Sequence, residues 1–138
     1  MTRREVGTGI VAVALTISTA GRARGDKYAK LAPFTSVRWL GDVPDVEVDG
    51  RFYRLRAIDG FVVERLVEFA RKTYERLWKK RVSEDLVQVM TEMGHPPGDK
   101  VTLQLEEIGS RSQIVRREAP MTRENRQKVW LANQKAGL

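Results

Sequence analysis

The side chains that most often perform catalysis are scarce in this sequence. His95 is the only histidine, and there is no cysteine. A serine triad would have to use His95, which precedes Pro96 in a predicted turn. The candidate nucleophiles of such a triad are Ser36, Ser83, Ser110 and Ser112. None of these serines lies in a known nucleophile motif. The composition excludes disulfides and thiol nucleophiles, and it predicts neither a transition-metal site nor a cofactor.

Carboxylates are the remaining catalytic candidates, because acidic residues distant in sequence can converge in a fold. Asp59, Glu84 and Asp85 are the nominal members of such a pair, which would make the chain a carboxylate-dependent hydrolase. A turn already explains Asp59, and a helix start explains Glu84 and Asp85 through capping and the helix dipole. We therefore assign no catalytic residue, and the sequence favours a protein that is not an enzyme.

Basic residues form the candidate binding surface. Near one face of a predicted helix, and at the end of that helix, lie Lys72, Arg76, Lys79, Lys80 and Arg81. These cations are suited to phosphates, anionic lipid headgroups or an acidic protein partner. Neighbouring acids such as Glu68 and Glu75 equally suit ion pairs on a solvated helix face. No recognisable nucleic-acid-binding motif accompanies the charge.

The elements that position these residues begin with a hairpin. Asp49-Gly50 lies between two alternating segments and predicts a tight type I′ turn. A two-residue turn predicts the pairs Val48 with Arg51, Val46 with Tyr53, and Pro44 with Leu55. Four acids of this region suggest a metal site, but strand alternation turns most of them to solvent: Asp42, Asp45, Glu47 and Asp49.

From Phe61 the hydrophobic period changes from two to about 3.6, which predicts the central helix of the core. Its apolar stripe contains Val63, Leu66, Ala70, Tyr74 and Leu77, widened by Val62, Val67, Phe69 and Trp78. Basic residues 79–81 suit a helix C-terminus and Ser83 suits a helix start, so we predict a bend near Val82. The second helix carries Leu86, Met90 and Met93 and ends at Gly94.

A second hairpin follows. Residues 101–105 alternate as a half-buried strand, Gly109 and Ser110 reverse the chain, and a returning strand through Ile114 ends at Pro120. Thr122 is a suitable cap for a last helix that docks through Val129, Trp130 and Leu131. The predicted fold class is therefore α+β, with two β-hairpins packed on a bent helical pair and a C-terminal helix.

The first twenty residues have the pattern of a secretory signal peptide. Arg3 and Arg4 precede an uncharged run over residues 6–20, and Ser18 and Ala20 place small side chains before a cleavage point. The apolar run is too short to span a bilayer as a helix, so no transmembrane anchor is expected after cleavage. The alternative is a core strand over residues 10–17, where β-branched side chains are frequent.

These observations predict a domain organisation and a compartment. Residues 1–20 form the signal peptide, residues 21–33 a flexible basic tether, and residues 34–138 a single α+β domain. The chain carries a net charge of +7, from 25 basic and 18 acidic residues. Export predicts a secreted or periplasmic protein, whereas a core strand over residues 10–17 predicts a cytoplasmic one.

Two segments carry a resemblance to a known family. Residues 55–60 (Leu-Arg-Ala-Ile-Asp-Gly) precede a helix, and residues 97–105 (Pro-Gly-Asp-Lys-Val-Thr-Leu-Gln-Leu) open the last hairpin. This order resembles the bacterial PDZ-like domains of tail-specific processing proteases over residues 53–115. The resemblance implies that an extended peptide binds beside a strand and an adjacent helix. The glycine-rich loop that receives a peptide carboxylate in that family is not recognisable here.

Composition, charge and resemblance together predict an exported, non-catalytic binding module. Its expected partner is a peptide or an acidic protein segment, and its oligomeric state stays open. Two alternatives belong to other classes: a cytoplasmic basic domain that binds nucleic acid, and the carboxylate-dependent hydrolase.

Overall fold

The computed structural model describes residues 27–109 and 112–138. Its elements in chain order are β1 (Ser36–Leu40), β2 (Val43–Val48), β3 (Arg51–Ile58), β4 (Phe61–Val62), α1 (Val63–Tyr74), a 3-10 turn (Glu75–Leu77), α2 (Trp78–Glu84), α3 (Leu86–Glu92), β5 (Lys100–Glu107), β6 (Ile114–Pro120) and α4 (Arg123–Ala136). The strands form one antiparallel sheet in the order β1-β2-β3-β5-β6, and β4 pairs with β3.

The predicted α+β class, with its helical pair and C-terminal helix, is confirmed. The predicted signal peptide lies outside the described residues.

The first predicted hairpin is present with its predicted register. Val48 pairs with Arg51 and Val46 pairs with Tyr53, but the pairing ends at Asp45 and Arg54, so the predicted pair of Pro44 with Leu55 is not formed. Asp49 and Gly50 have φ values of 53° and 80°, which are the left-handed values that a type I′ turn requires. The same dipeptide recurs at Asp59-Gly60, where a second tight turn leads into the two-residue strand β4 rather than directly into the helix.

One acid of the first hairpin contradicts the prediction of solvated carboxylates. Asp45 is only 2% exposed. It lies in register between Arg38 on β1 and Arg54 on β3, with N···O distances of 3.8 Å and 3.2 Å. Two flanking guanidinium groups can hold a carboxylate in place of water, and strand alternation does not reveal this arrangement.

The core lies between the sheet and the helices that cover one of its faces. β3 and β5 contribute Leu55, Leu103 and Leu105, each at most 1% exposed, and α1 contributes Leu66. Removing these side chains from water supplies the main driving force for folding, since full burial of each leucine contributes about 1.5 to 3 kcal/mol. The alternating apolar residues of the strands and the stripe of α1 are thus positioned as predicted.

The bend in the helical pair occurs earlier than predicted. α1 ends at Tyr74, a 3-10 turn follows, and Glu75 has a positive φ of 51°. Residues 79–81 therefore belong to α2 instead of ending the first helix. Leu77, which the helical stripe placed in the core, is 43% exposed because it falls in the 3-10 turn. Val62 is also exposed, since it belongs to β4 rather than to the helix.

The second break lies at Asp85, so the predicted cap at Ser83 is wrong. Ser83 is in the last turn of α2, and its hydroxyl donates to the Lys79 carbonyl at 2.7 Å. α3 begins only at Leu86. The predicted end of this helix at Gly94 is correct, because Gly94 follows α3 with a φ of 94°.

The C-terminal helix begins as predicted but docks differently. The Thr122 side chain accepts a hydrogen bond from the Asn125 backbone N–H at 3.0 Å, which is the expected cap. Val129 is fully buried, whereas Leu131 is 47% exposed. A polar residue, Asn133, is buried at 2% exposure, because it hydrogen-bonds Ser83 and Glu84 on α2.

Residues just before the predicted domain boundary at Phe34 already pack on the domain. Ala32 is fully buried and forms an antiparallel bridge with Thr122. Lys30 pairs with Asp85 at 2.9 Å, and the Tyr28 hydroxyl donates to Glu92 at 2.9 Å. Residues 28–33 therefore pack on the domain, which corrects their assignment to the flexible tether. Residues 21–26 of that tether lie outside the described residues.

Candidate functional site

The two outer strands of the sheet approach each other at one end and then separate. The Ala32 N–H donates to the Thr122 carbonyl at 3.1 Å, and the Thr122 N–H donates to the Ala32 carbonyl at 3.0 Å. The next hydrogen-bonded position of this register pairs Phe34 with Pro120, which has no backbone N–H to donate. The pairing therefore stops after one bridge, and a cleft opens between residues 33–36 and the end of β6.

β6 exposes backbone hydrogen-bonding groups along this cleft. Met121 N–H donates to the Asp99 carbonyl at 2.8 Å, and Glu107 N–H donates to the Gln113 carbonyl at 2.9 Å. Odd-numbered residues of β6 thus face β5, and alternation directs the N–H and C=O groups of Arg116 and Glu118 to the opposite edge. No strand covers that edge within the described ranges.

The cleft has a volume of about 730 Å³ and two walls of different chemistry. The sheet wall is formed by residues 117–120 of β6 and by the tip of the first hairpin. The helix wall is one face of α4, because its members recur at spacings of three, four and seven: Asn125, Lys128, Leu131, Ala132 and Lys135. Apolar contact surface comes from Pro33, Val48 and Ala119, and from the exposed side chain of Leu131.

The charges of the two walls differ in whether they have partners. On the sheet wall, Asp49 pairs with Arg117 at 2.5 Å, and Glu118 pairs with Lys100 at 3.3 Å. On the helix wall, the side chains of Lys128 and Lys135 are exposed and make no hydrogen bond or ion pair to any described residue. Glu47 also lines the sheet wall, and its carboxylate accepts a hydrogen bond from the Thr35 hydroxyl at 2.9 Å but has no cation partner among the described residues. The lining thus holds three acidic and three basic side chains, and its cations without a described partner are the two lysines of α4.

A second groove lies between α1 and the sheet, with a volume of about 450 Å³. Its apolar surface comes from Val43, Leu55, Val63 and Val67. The neighbouring edge of β3 is occupied by β2 as far as Arg54 and by β4 from Ala57, so an added strand has only two residues to pair with. This groove does not offer the continuous strand edge that the cleft beside β6 offers.

The predicted basic surface is not a single helical face. Lys72 is on α1 beside Glu68 at 3.9 Å, whereas Lys79, Lys80 and Arg81 are on α2, beyond the 3-10 turn that contains Arg76. Arg81 is taken up by an ion pair with Asp85 at 2.9 Å. The Lys79 ammonium lies over the rings of two tryptophans, Trp39 at 5.9 Å and Trp78 at 5.6 Å.

The candidate carboxylates belong to two different sets of contacts, with Asp59 in one and Glu84 and Asp85 in the other. Asp59 accepts a hydrogen bond from the Thr102 N–H at 2.8 Å, and its second oxygen is 3.4 Å from His95 Nε2. Glu84 and Asp85 instead belong to a buried network at the junction of α2, α3 and α4. Turn geometry and ion pairing thus account for all three acids, and Ser83 serves the same buried network through Asn133.

Arg126 is the cation at the centre of that network. Its Nε donates to the Glu84 carbonyl at 3.0 Å, and its Nη2 lies 3.9 Å from Glu84 Oε1 and 3.6 Å from Asp85 Oδ1. Asn133 donates to the other Glu84 oxygen at 2.8 Å, while Asp85 also pairs with Lys30. The network connects the N-terminal segment to three helices and holds α4 beside the cleft.

Two tyrosines share the carboxylate of Glu92. The hydroxyls of Tyr74 and Tyr28 donate to its two oxygens. Burial raises the pKa of Tyr74, and the hydrogen bond to Glu92 raises it further. Burial raises the pKa of Glu92, but hydrogen bonds from Tyr74, Tyr28 and Gln88 and the charge of Lys27 together lower it below its ordinary value. The carboxylate stabilises the fold above its unfolded pKa, and this contribution is lost as the pH falls through the lowered pKa.

Replacement of Tyr74 with phenylalanine is therefore expected to lower the free energy of unfolding at neutral pH by about 0.5 to 1 kcal/mol, a value reduced for the exposure of Glu92. The difference from the unsubstituted chain should shrink as the pH falls below the ordinary glutamate pKa of about 4.3 and through the lowered pKa of Glu92. Urea unfolding at pH 7 and pH 3 measures both differences. A penalty of the same size at both pH values contradicts the assigned role of the Glu92 carboxylate.

The described residues show no group of three histidine, cysteine, aspartate or glutamate side chains that converges as metal ligands do. None of the helices within residues 27–109 and 112–138 has the length and apolar character to cross a bilayer. No family model, curated protein or solved structure matches this chain.

Proposed function

We propose that the chain is a non-catalytic module that binds an extended acidic peptide in the cleft between β6 and α4. The observation that carries the proposal is the free edge of β6, which presents the backbone groups of Glu118 beside two lysines that have no partner among the described residues. Main-chain hydrogen bonds from a strand edge supply affinity for any extended peptide, and neighbouring side chains supply selectivity. Export, as the first twenty residues predict, is part of the same proposal.

The preference for acidic peptides follows from the helix wall. Lys128 and Lys135 are seven residues apart, so they lie two turns apart on the same face of α4. Two turns span about 10 Å, and side chains on one face of a strand recur about every 7 Å. Acidic side chains of an added strand can therefore reach both lysines, and Leu131 between them offers an apolar contact.

The mode of binding agrees with what the PDZ-like resemblance of residues 53–115 implies. Both place an extended peptide between a strand and a helix. The helix used here, α4, lies beyond the range of the resemblance, and so do the last residues of β6. The proposed site therefore depends on the geometry of the cleft and not on residues carried over from the family.

The test is a titration of the full chain into a fluorescein-labelled peptide of alternating glutamate and valine, followed by fluorescence anisotropy. The double substitution Lys128→Glu and Lys135→Glu is expected to weaken binding by roughly tenfold or more, because two attractive charges become repulsive. The matched control is Arg76→Glu with Lys80→Glu, which makes the same change in net charge outside the cleft. Equal weakening by both pairs, or tighter binding of an alternating lysine and valine peptide, contradicts the proposal.

A further inference from the structure

A second surface lies at the junction of α1 and α2 and is independent of the cleft. Trp39 of β1 and Trp78 of α2 pack edge to face, with ring centroids 5.1 Å apart and an interplanar angle of 75°. Leu77 immediately precedes Trp78, lies in the 3-10 turn and is 43% exposed. A large apolar side chain thus projects beside the tryptophan pair.

The same junction is strongly basic. Residues 71–81 contain six basic residues and one acidic residue, a formal charge of +5. Asp42 pairs with Arg71 at 2.7 Å, and Glu68 lies 3.9 Å from Lys72, so these two cations are compensated locally. The side chains of Arg76 and Lys80 make no ion pair or hydrogen bond with a described residue, so their charges are available.

We propose that this junction surface, formed by Arg76, Leu77, Trp78, Lys79 and Lys80, docks on an anionic lipid bilayer. An exposed leucine enters the boundary between headgroups and acyl chains, tryptophan is suited to the interface, and lysine and arginine attract anionic headgroups. Apolar insertion alone or electrostatic attraction alone does not give stable attachment to a bilayer, but the two contributions together do. The charge complementarity with an anionic bilayer identifies the partner.

Single-stranded nucleic acid is the other polyanion that aromatic and basic residues bind, and the geometry disfavours it. Base stacking requires an open ring face. The Lys79 ammonium lies 5.9 Å from the Trp39 ring centroid and 5.6 Å from that of Trp78, and the Arg71 guanidinium lies 5.6 Å from the Trp78 centroid. The tryptophans also pack on each other. Their faces are thus largely occupied, whereas Leu77 beside them is open.

The experiment is co-sedimentation of the full chain with vesicles of phosphatidylglycerol and phosphatidylcholine, with pure phosphatidylcholine vesicles as the neutral reference. Strong partitioning that falls with added salt is expected only for the anionic vesicles. The double substitution Arg76→Gln and Lys80→Gln should reduce the partition coefficient about thirtyfold, since each cation near the surface contributes about fivefold. Leu77→Ser should reduce it by at least roughly threefold through lost apolar contact.

Matched controls lie in the cleft. Lys128→Gln with Lys135→Gln removes the same net charge, and Leu131→Ser removes a leucine of similar exposure, yet both should leave vesicle binding much less affected. Equal losses in the two sets overturn the proposal, because they indicate attraction by net charge alone. Absence of partitioning overturns it too, as does binding of a labelled single-stranded oligonucleotide with no binding of vesicles. Peptide binding by the cleft is measured separately, so either proposal can fail alone.

Discussion

Replacement of Arg126 with methionine is expected to lower the free energy of unfolding by about 3 kcal/mol. The guanidinium lies between two carboxylates that are almost fully buried, Glu84 at 2% exposure and Asp85 at 6%. Methionine keeps much of the volume but removes the positive charge and the hydrogen bond to the Glu84 carbonyl. The Glu84 carboxylate then retains the Asn133 amide as its only hydrogen-bond donor among the described residues. Buried charge without a cation is the source of the penalty.

Chemical denaturation of the two proteins measures this difference, and Arg123→Met is the matched control. Arg123 is exposed, lies one turn earlier on α4 and forms no ion pair with a described residue, so its replacement should change the free energy by less than about 0.5 kcal/mol. Adding Glu84→Gln to Arg126→Met should recover part of the loss, since a neutral amide needs no cation. Purely additive effects of the two substitutions contradict the charge pairing.

The second large effect is expected at Ala32. An aspartate there should destabilise the protein by at least about 3 kcal/mol, because the position is fully buried and both backbone groups are bonded to Thr122. For a domain of this size the melting temperature should fall by about 10 °C or more. The side chain would also intrude where the Asn125 amide donates to the Ala32 carbonyl at 3.1 Å.

The control for this substitution is Ala29→Asp, three residues earlier at an exposed position. It should leave the melting temperature almost unchanged. If residues 28–33 were a flexible tether, the two aspartates would have similar and small effects. Equal melting temperatures therefore contradict the packing of this segment on the domain.

Local patterns in the sequence predicted most of the sheet. Asp49-Gly50 determines its hairpin because positive φ at two adjacent positions is available to few dipeptides, and the alternation of β5 identifies its buried face without long-range information. The helical pair was predicted less well. Its apolar stripe continues from Val63 through Leu77, so the pattern gives no sign of the break at Glu75.

The cleft was not predicted, because it arises from contacts between distant parts of the chain. Ala32 and Thr122 are ninety residues apart in sequence, and only their pairing shows that Pro120 interrupts the ladder between them. Lys128 and Lys135 carry a seven-residue spacing that the sequence does reveal. Their importance depends on an open strand edge opposite them, and that edge is visible only in the fold. Asp45 is a similar case, since its burial requires arginines from two neighbouring strands.

The measurement that tests the proposed function most directly is amide hydrogen exchange of β6, followed by NMR, with and without the alternating glutamate and valine peptide. Glu118 N–H points to the free edge, whereas Arg117 and Ala119 already face β5. We expect the peptide to slow exchange at Glu118, and to a smaller extent at Arg116, while Arg117 and Ala119 change little. Saturable peptide binding that leaves the Glu118 amide exchanging at its original rate would contradict strand addition at β6.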